Sequence, residues 1–518
     1  MDANTISISL ELRLADDALS GRASAAAGRR RDFVGWLGLM AAIDALLPGG
    51  AQAAAPGAVN PQEESMSIDF APRTLPSGGA FLAPGDTGYD AARQAFNLTV
   101  DQRPALIAFP RHEVDVMAVV QYARSEGLQV ATQRTGHNAG PLAPSLEDAV
   151  LLKTSAMKGA EIDPVERKAR VRAGAQWMDV SDPASEHGLA ALCGSARDIG
   201  IVGYSLGGGL GFLGRKHGLQ ANSVTAIELV TADGELIRVD HDNEVELFWA
   251  LRGGGGNFGV VTAMEFDLYE APEIYAGALF FPYEQSSEAF HAWREWTATA
   301  PEEITTTIRM LRFPPLPELP DFLRGQAYAL VDGAFLGSEA DGAEILKPLR
   351  DLGPVIDTFA MVPPAALGYL HMDPDQPAPF TSDHAMLRDL PAQAIDELIA
   401  AVGPGTGDAV DIVELRHLGG ALGRGGDGNG ALAKFDDPYL MFAGTILMDE
   451  ARHAPARAGF DRLITAMAPW QGGRYFNFVE EPIDLARVYD ADTYARLRAV
   501  KAGVDPDELF LANHQIPA

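Results

Sequence analysis

The chain is poor in several features that mark common protein classes. It has 518 residues but one cysteine, Cys193, so an intrachain disulfide is excluded. Basic residues are also scarce, because 40 Lys and Arg oppose 71 Asp and Glu and leave a formal net charge of −31. A surface of this charge repels phosphate backbones and anionic lipids. The sequence therefore argues against nucleic-acid binding and peripheral membrane binding.

The N-terminal region lacks an apolar stretch that spans a bilayer comfortably. Its longest apolar run, residues 33–47, is interrupted by Asp44. Three arginines at 29–31 precede this run, and the small residues Ala51-Gln52-Ala53 follow it, as in a twin-arginine export signal. We predict that residues 1–55 are such a signal and that the protein is periplasmic or secreted, with an unstructured cytoplasmic extension as the alternative.

Glycine, in contrast, is plentiful and clustered. The first cluster is the loop 133–141, which follows a predicted strand at 129–132 and contains Gly136 and Gly140. Glycines let backbone N–H groups approach a phosphate closely. Arg134 adds a positive charge to this loop, and His137 adds a nucleophilic imidazole. Taken alone, the loop favours a simple glycine turn that carries a solvent-facing histidine.

Two further clusters make that simple interpretation less attractive. Residues 192–214 contain eight glycines interleaved with apolar side chains, which need burial and argue against a flexible linker. Residues 253–259 form the third cluster, after a predicted helix at 244–252 that Asp242 or Asn243 could cap. Three backbone-exposing clusters are hard to explain without one extended ligand that crosses all of them.

The predicted elements place the first cluster at the end of a strand. A strand at 106–109, a helix at 113–125 and the strand at 129–132 form a β–α–β pattern. Ligands usually bind at the carboxyl ends of such strands. No Gly-x-Gly-x-x-Gly motif opens this unit, so an ordinary nicotinamide-binding fold is disfavoured.

Several motifs together resemble a known flavoprotein family. Residues 135–140 resemble the histidyl-flavin loop of berberine-bridge-enzyme-like oxidoreductases, within the vanillyl-alcohol-oxidase or p-cresol-methylhydroxylase (PCMH) family. The spacing Gly200-x-x-Gly203-x-x-x-Gly207-Gly208-Gly209 and the segment 248–262 resemble two further signatures of this group. Residues 475–478 and 505–510 resemble its closing segment, so the resemblance covers roughly residues 100–518.

The resemblance implies an α+β fold. It predicts a two-part PCMH-type FAD-binding domain at 99–271, after a linker and N-terminal segment at 56–98. A substrate domain at 272–470 is expected to consist of an antiparallel sheet with flanking helices, and a C-terminal segment at 471–518 to complete the FAD site. We find no catalytic motif in residues 272–470 from the sequence alone.

The resemblance also implies FAD as cofactor, bonded covalently to His137. Some members carry a second bond to a cysteine, but the matching residue here is Ala196, and Cys193 lies three residues earlier. We therefore predict a single bond, and no metal site. The predicted cofactor-binding residues are Arg134, Thr135, Gly136, His137, Asn138, Gly140, Ile199, Gly200, Gly203, Gly207, Gly208, Gly209, Gly259, Val260, Val261, Tyr475 and Asn477.

The catalytic base departs from the family pattern. Many members use a tyrosine at the position that Phe478 occupies, and phenylalanine cannot accept a proton. The sequence offers Tyr475, Tyr439 and Glu480 as replacements, with His384 as a further option and the absence of any base as an alternative.

The resemblance implies an oxidase that takes a hydride from an alcohol, sugar, amine or natural product and passes electrons to O2. Ile199, intermediate in size, occupies the position that admits or excludes oxygen in this group. The alternatives are a dehydrogenase with a quinone or protein acceptor, a flavin-binding protein with weakened catalysis, and a nucleotide-binding protein without flavin.

Overall fold

The computed structural model describes residues 8–15, 18–25, 30–34 and 74–518, except 317, 318, 375 and 408. Near the N-terminus, three strands pair antiparallel in the order β1-β2-β3: Ile8–Ala15, Ala18–Ala25 and Arg30–Val34. Most of the predicted export signal after residue 34, including Ala51-Gln52-Ala53, lies outside the described residues. The signal therefore stays a prediction.

The first large sheet is mainly parallel and has the order β23-β6-β7-β5-β4. The helix α2 packs on it with Val116, Val119, Val120 and Ala123, and ends where Gly127 adopts a φ of 70°. This confirms the predicted β–α–β pattern. The elements are β4 Ala80–Leu82, α1 Tyr89–Ala92, β5 Leu106–Phe109, α2 Glu113–Glu126, β6 Gln129–Gln133, β7 Ala149–Lys153 and β23 Phe510–Leu511.

The second sheet is antiparallel and has the order β12-β11-β13-β9-β8. Its strands are β8 Ala160–Asp163, β9 Lys168–Arg172, β11 Val224–Val230, β12 Leu236–Asp240 and β13 Val260–Asp267. The helices in this part of the chain are α3 Met178–Ser185, α4 Ile201–Leu206, α5 Gly214–His217 and α6 Val245–Leu251. A separate two-stranded ribbon joins β10 Leu189–Ala190 to β14 Tyr269–Glu270.

The predicted cap of helix α6 is wrong. The carboxylate of Asp240 accepts hydrogen bonds from the backbone N–H groups of Asp242 and Asn243, so the chain turns before the helix begins. Glu244 then occupies the N-cap with a φ of 51° and makes no side-chain cap.

The third sheet has eight strands, all antiparallel, along the path β18-β15-β17-β16-β21-β22-β20, with β19 paired to β15. Its strands are β15 Ile274–Pro282, β16 Ile304–Arg312, β17 Ala327–Phe335, β18 Ile356–Asp357, β19 Ala360–Val362, β20 Phe380–Leu387, β21 Ile412–His417 and β22 Tyr439–Ile446. The helices that follow β15 are α7 Ser286–Thr297, α8 Glu339–Arg350, α9 Leu367–Leu370, α10 Ala392–Val402, α11 His453–Met467 and α12 Ala491–Val504.

The two faces of the third sheet differ in chemistry. One face packs against helices α7, α8, α10 and α11 through a large apolar core that includes Trp293, Phe290 and Phe460. Because successive side chains of a strand point to opposite faces, the alternate residues form a second face. That face carries buried charged side chains, among them Arg309 and Glu414, which lie opposite each other on β16 and β21. The three sheets with their helices confirm the predicted α+β fold.

The C-terminus returns to the first sheet. Strand β23 pairs parallel with β6 through Phe510 and Val130. The fully buried ammonium of Lys501 pairs with Asp505 at 2.6 Å and donates to the backbone oxygen of Asn257 at 2.8 Å. The last helix thus connects the first sheet to the third glycine cluster.

Candidate cofactor and substrate cavity

A single cavity lies where the three glycine clusters and the C-terminal segment meet. Segments that are far apart in the sequence line it, and each of the three clusters contributes. The residues that line it include Arg134, Thr135, Gly136, His137, Asn138, Ser195, Ile199, Gly200, Gly203, Tyr204, Gly255, Gly256, Gly259, Val261, Arg416, Tyr475, Asn477, Phe478, Asn513 and His514. The structure therefore brings together most of the residues that the sequence predicts for the cofactor.

Part of the cavity wall is formed by glycines that face open space, so that any side chain added there would enter the cavity. At Gly203 and Gly256, a Cβ atom would meet no protein atom within 4 Å, and both residues line the cavity. Gly136 and Gly255 have φ values of 83° and 72°, a region that favours glycine. A backbone wall of this kind suits a ligand that lies flat against the main chain.

His137 is held rigidly at this wall. Its ring stacks on Phe96, with 3.7 Å between ring centroids and 16° between planes. Its Nδ1 lies 2.8 Å from Oγ1 of Thr135, and its Nε2 lies 3.8 Å from Oδ2 of Asp198. Burial lowers the pKa of His137 to about 4, and the opposing effect of Asp373 is smaller. The imidazole is therefore neutral at pH 7 and keeps one nucleophilic nitrogen.

One polar atom of His137 and one of its neighbour Asn138 are buried without a hydrogen bond. They are Nε2 of His137 and Oδ1 of Asn138. Buried polar atoms normally find partners, and both residues line the cavity. These atoms fit a ligand that carries polar groups, as a flavin dinucleotide does.

Arg134 connects the first and second glycine clusters. Its Nε donates to the backbone oxygen of Gly174 at 2.6 Å, and its aliphatic stem packs where a Cβ of Gly200 would lie. Burial lowers the pKa of the guanidinium, but an arginine starts from a pKa far above neutrality. Arg134 thus remains a cation in the wall and could balance a phosphate.

Five predicted cofactor-binding residues lie outside the cavity lining. Gly207 and Gly209 pack against the C-terminal segment: the amide of Asn477 fills the space beside Gly207, and the N–H of Gly209 donates to the hydroxyl of Tyr475 at 3.0 Å. The other three are also packed against protein. Gly208 contacts Leu432, Gly140 contacts the backbone of Glu480, and Val260 lies in the core of the first sheet.

The proposed bases Tyr439 and Glu480 do not line the cavity. Tyr439 belongs to the helix-facing side of the third sheet, where its hydroxyl lies 2.9 Å from Oγ1 of Thr297. Glu480 hydrogen-bonds to Ser382 and Asn97, and burial raises its pKa to about 7. Neither residue is among those that line the cavity, so this geometry gives no support to a catalytic role, which stays a prediction for both.

Tyr475 does line the cavity, but its hydroxyl is already engaged. It accepts hydrogen bonds from the N–H of Gly209 and, at 3.0 Å, from the amide of Asn477. Burial raises the pKa of this phenol far above neutrality. His384 accepts a hydrogen bond from the backbone N–H of Tyr475 at 3.0 Å and therefore positions the segment. The sequence-based role of Tyr475 as a base is thus disfavoured, whereas its contact with the cavity stands.

The charged face of the third sheet contributes residues that are not among those predicted from the sequence. Arg416 reaches the cavity from strand β21, with its guanidinium carbon 5.1 Å from the ring centroid of Phe478. Its Nε pairs with Glu414, which also accepts from Nε2 of His371 at 2.8 Å. Nδ1 of His371 lies 3.2 Å from Asp332.

Asp332 also pairs with Arg309 and completes this series of side chains, which we call the buried charge chain: Arg416, Glu414, His371, Asp332 and Arg309. Burial and Arg309 act to lower the pKa of His371, but Glu414 and Asp332 outweigh them and raise it to about 9. A signal was present in the sequence, because Glu414 and Arg416 alternate with apolar residues in a short strand.

Within the described part of the chain, every helix is too short or too polar to traverse a lipid bilayer.

Comparisons with known proteins agree with this geometry. Residues 104–240 match the FAD binding domain family, and residues 474–517 match the berberine and berberine-like family. The uncharacterised FAD-linked oxidoreductase YvdP of Bacillus subtilis is 26% identical over 85% of this chain and 98% of its own length.

Solved structures share the fold. The crystal structure of 6-hydroxy-D-nicotine oxidase from Arthrobacter nicotinovorans superposes with a TM-score of 0.73 at 26% identity, covering 85% of this chain and 97% of that one. Glucooligosaccharide oxidase from Acremonium strictum, described with a 6-S-cysteinyl, 8α-N1-histidyl FAD, gives a TM-score of 0.71 at 24% identity, covering 85% and 97%. Because both ends of the fold match families of FAD-linked enzymes, residues 104–240 the FAD binding domain and residues 474–517 the berberine-like segment, the chain belongs to the berberine-bridge-enzyme-like family of FAD-linked oxidoreductases.

Proposed function

We propose that this FAD-dependent oxidoreductase is an oxidase that holds its FAD covalently through His137. The observation that carries the proposal is a neutral, buried imidazole that is stacked on Phe96 and lines a glycine-walled cavity. When bound, FAD supplies the hydride acceptor. The chain itself positions the cofactor, excludes water and orients a small organic substrate, such as an alcohol, a sugar, an amine or a natural product.

We propose that His137 is the sole covalent attachment. Ala196 occupies the family position of the cysteinyl bond, and Cys193 is buried and is not among the residues that line the cavity. Burial raises the pKa of the Cys193 thiol to about 11, so little thiolate forms at neutral pH. A second bond would need both the thiolate and access to the cofactor.

The described residues that line the cavity include no Asp or Glu. Together with Phe478 and the engaged hydroxyl of Tyr475, this favours a substrate whose reacting group needs no strong base, such as an amine that binds in its neutral form. Two carboxylates lie next to the lining without being part of it. Asp198 lies 3.8 Å from His137, and Glu414 pairs with Arg416.

The decisive experiment is to precipitate the purified protein with acid and to record flavin absorbance in the pellet and the supernatant. Flavin in the pellet, together with a matching mass increase on the peptide that contains His137, supports the covalent bond. A colourless protein without any flavin signal overturns the proposed function. Flavin that appears only in the supernatant overturns the covalent attachment alone.

The electron acceptor needs its own measurement. Substrates are screened without oxygen for bleaching of the flavin absorbance, and turnover is then followed with an oxygen electrode. Oxygen consumption with release of hydrogen peroxide supports the oxidase. Fast dye reduction without oxygen consumption assigns the protein as a dehydrogenase instead.

We also propose export by the twin-arginine route, which carries folded proteins and suits a chain that acquires its cofactor before export. The support is the arginines at 29–31 and the small residues at 51–53. N-terminal sequencing of the mature protein tests it, and a mature protein that retains residues 1–53 contradicts it.

A further inference from the structure

The charged face of the third sheet ends at the cavity in one side chain, Arg416. Only 13% of this side chain is exposed. Its Nε is occupied by Glu414, and within the described residues its two terminal nitrogens donate no hydrogen bond. A buried guanidinium normally satisfies its donors, so these nitrogens are available to an acceptor inside the cavity.

The buried charge chain as a whole carries one more positive charge than it has negative charges. The cations are Arg309, Arg416 and, below its pKa of about 9, His371, and the carboxylates are Asp332 and Glu414, so one positive charge is left over at neutral pH. Asp373 also influences His371 and Arg416, but it is exposed to solvent and its carboxylate accepts a hydrogen bond from Ser195 at 2.6 Å. Because water screens an exposed charge far more than a buried one, Asp373 does not cancel the positive charge that is left over.

The chain also fixes the direction of the guanidinium. Glu414 receives Arg416 on one oxygen and His371 on the other, and Asp332 holds the far side of His371. The ring of Phe478 lies against the guanidinium. Such a preorganised fork suits a planar, bidentate anion much better than a flexible lysine would.

We propose that Arg416 anchors a carboxylate group of the substrate, with the flat part of the substrate against Phe478. This inference rests on the proposed function, because it names the substrate class of the same cavity. Glu414, His371 and Asp332 act as positioning residues that orient Arg416 and do not touch the substrate. The predicted substrate is thus a small, flat carboxylic acid that carries the oxidisable group.

The test uses benzoate as the probe and benzamide as its neutral equivalent of the same shape. Binding to the purified protein is measured by isothermal titration calorimetry, which needs neither turnover nor flavin absorbance. Because hydrogen bonds to a charged group are strong, we expect benzoate to bind at least about tenfold more tightly than benzamide. Arg416→Gln should weaken benzoate binding about 10- to 100-fold and leave benzamide binding unchanged.

Two variants make the result specific. Arg416→Lys keeps the charge but loses the bidentate fork, so it should recover only part of the benzoate affinity. Arg312→Gln serves as the matched control, because Arg312 lies at the end of strand β16, bonds to Tyr283 and Val410, and does not line the cavity. It should leave both affinities unchanged, while thermal unfolding confirms that each variant is folded.

Several outcomes would overturn the proposal. They are equal affinities for benzoate and benzamide, no saturable benzoate binding to the unmodified protein, or an Arg416→Gln variant that binds benzoate within about twofold of the original. Loss of flavin from Arg416→Gln with unchanged benzoate binding would assign Arg416 to the cofactor instead. Absence of flavin from the unmodified protein, with selective benzoate binding retained, would refute the proposed function and leave the anion site standing.

Discussion

The two walls of the cavity are built in opposite ways. The wall expected to hold FAD consists of backbone and short loops, and its residues come in contiguous runs around His137, Gly203 and Gly256. On the side of the third sheet, the wall presents a single charged side chain, Arg416 of strand β21. Behind it lie Arg309, Asp332 and Glu414 from strands β16, β17 and β21, which span more than 100 residues of the sequence. A cofactor common to many proteins can be recognised by a fixed backbone motif, whereas a particular substrate needs individually placed side chains.

The strongest test of the first wall is removal of its nucleophile. His137→Ala should abolish covalent attachment completely while the chain still folds, because the imidazole is the only predicted point of attachment. Acid precipitation followed by flavin absorbance in the pellet measures this directly. As a control, His217→Ala changes a histidine that packs against Tyr269 with tilted rings and does not line the cavity, and should keep the pellet yellow. A yellow pellet from His137→Ala would contradict the expected attachment.

The backbone character of this wall is tested by adding a side chain to it. Gly203→Leu places a side chain into the cavity and should lower the flavin-to-protein ratio at least about tenfold. Gly503→Leu is the matched control, because both glycines lie in helices and neither has a protein atom within 4 Å of a new Cβ. Gly503 is on the surface, and leucine favours a helix over glycine by about 0.5–1 kcal/mol. Equal flavin content in the two variants would show that Gly203 does not face the cofactor.

The second wall should depend on its ion pairs for stability. Glu414→Gln leaves Arg416 and His371 without their shared carboxylate in a buried position, which should cost about 3–5 kcal/mol of the free energy of unfolding. Urea denaturation at pH 7 measures the loss. Glu246→Gln breaks an exposed pair with Arg496 and should cost at most about 1 kcal/mol. Similar losses in both variants would mean that the buried charge chain has no special role.

The same wall should make stability fall at alkaline pH. The pKa of His371 is raised from 6.5 to about 9, so its contribution is fully present below pH 6.5 and is lost as the pH rises through 9. The shift corresponds to about 3 kcal/mol. Unfolding free energies between pH 6 and pH 9.5 should show this decrease, and His371→Asn should flatten it. A decrease that persists unchanged in the variant would assign the effect to another group.

The smallest effect is expected at Glu480, which lies behind the first wall. Burial raises its pKa from 4.5 to about 7, so its ionised form costs stability as the pH rises through 7, and this cost is absent below pH 4.5. Glu480→Gln should therefore stabilise the protein by about 1–2 kcal/mol at pH 8. The variant and the original should be equally stable at pH 4. A destabilised variant at pH 8 would show that the bonds to Ser382 and Asn97 outweigh the cost of burial.

The contrast between the walls also explains what the sequence could predict. The loop around His137, the glycines 200 and 203, and the β–α–β unit follow local rules for turns, periodicity and motifs. Phe96 escaped prediction because its stacking on His137 depends on how a distant segment returns to the loop. Gly207, Gly208 and Gly209 belong to the same motif as Gly203, but tertiary packing turns them towards Tyr475 and Asn477.

In residues 272–470, the sequence indicates the helices and strands but not the contacts between their side chains. These strands and helices, such as 286–297 and 392–402, follow from periodicity. The pairing of Arg416 with Glu414 and His371 does not, because it requires the order in which the strands assemble. Tyr439 and Glu480 suit a base by their chemistry, but the sequence does not indicate whether either side chain reaches the cavity, and neither is among the lining residues.

The arrangement of the C-terminus has a consequence for biosynthesis. Strand β23 completes the edge beside β6, and Asn513 donates a hydrogen bond to the backbone oxygen of Asn138, next to His137. During translation, the loop that carries His137 emerges more than 370 residues before this partner does. The hydrogen bond between Asn513 and Asn138 can therefore form only after residue 513 has left the ribosome. We expect FAD to bind after these residues are synthesised. A bulky fusion directly after them should then hinder FAD binding.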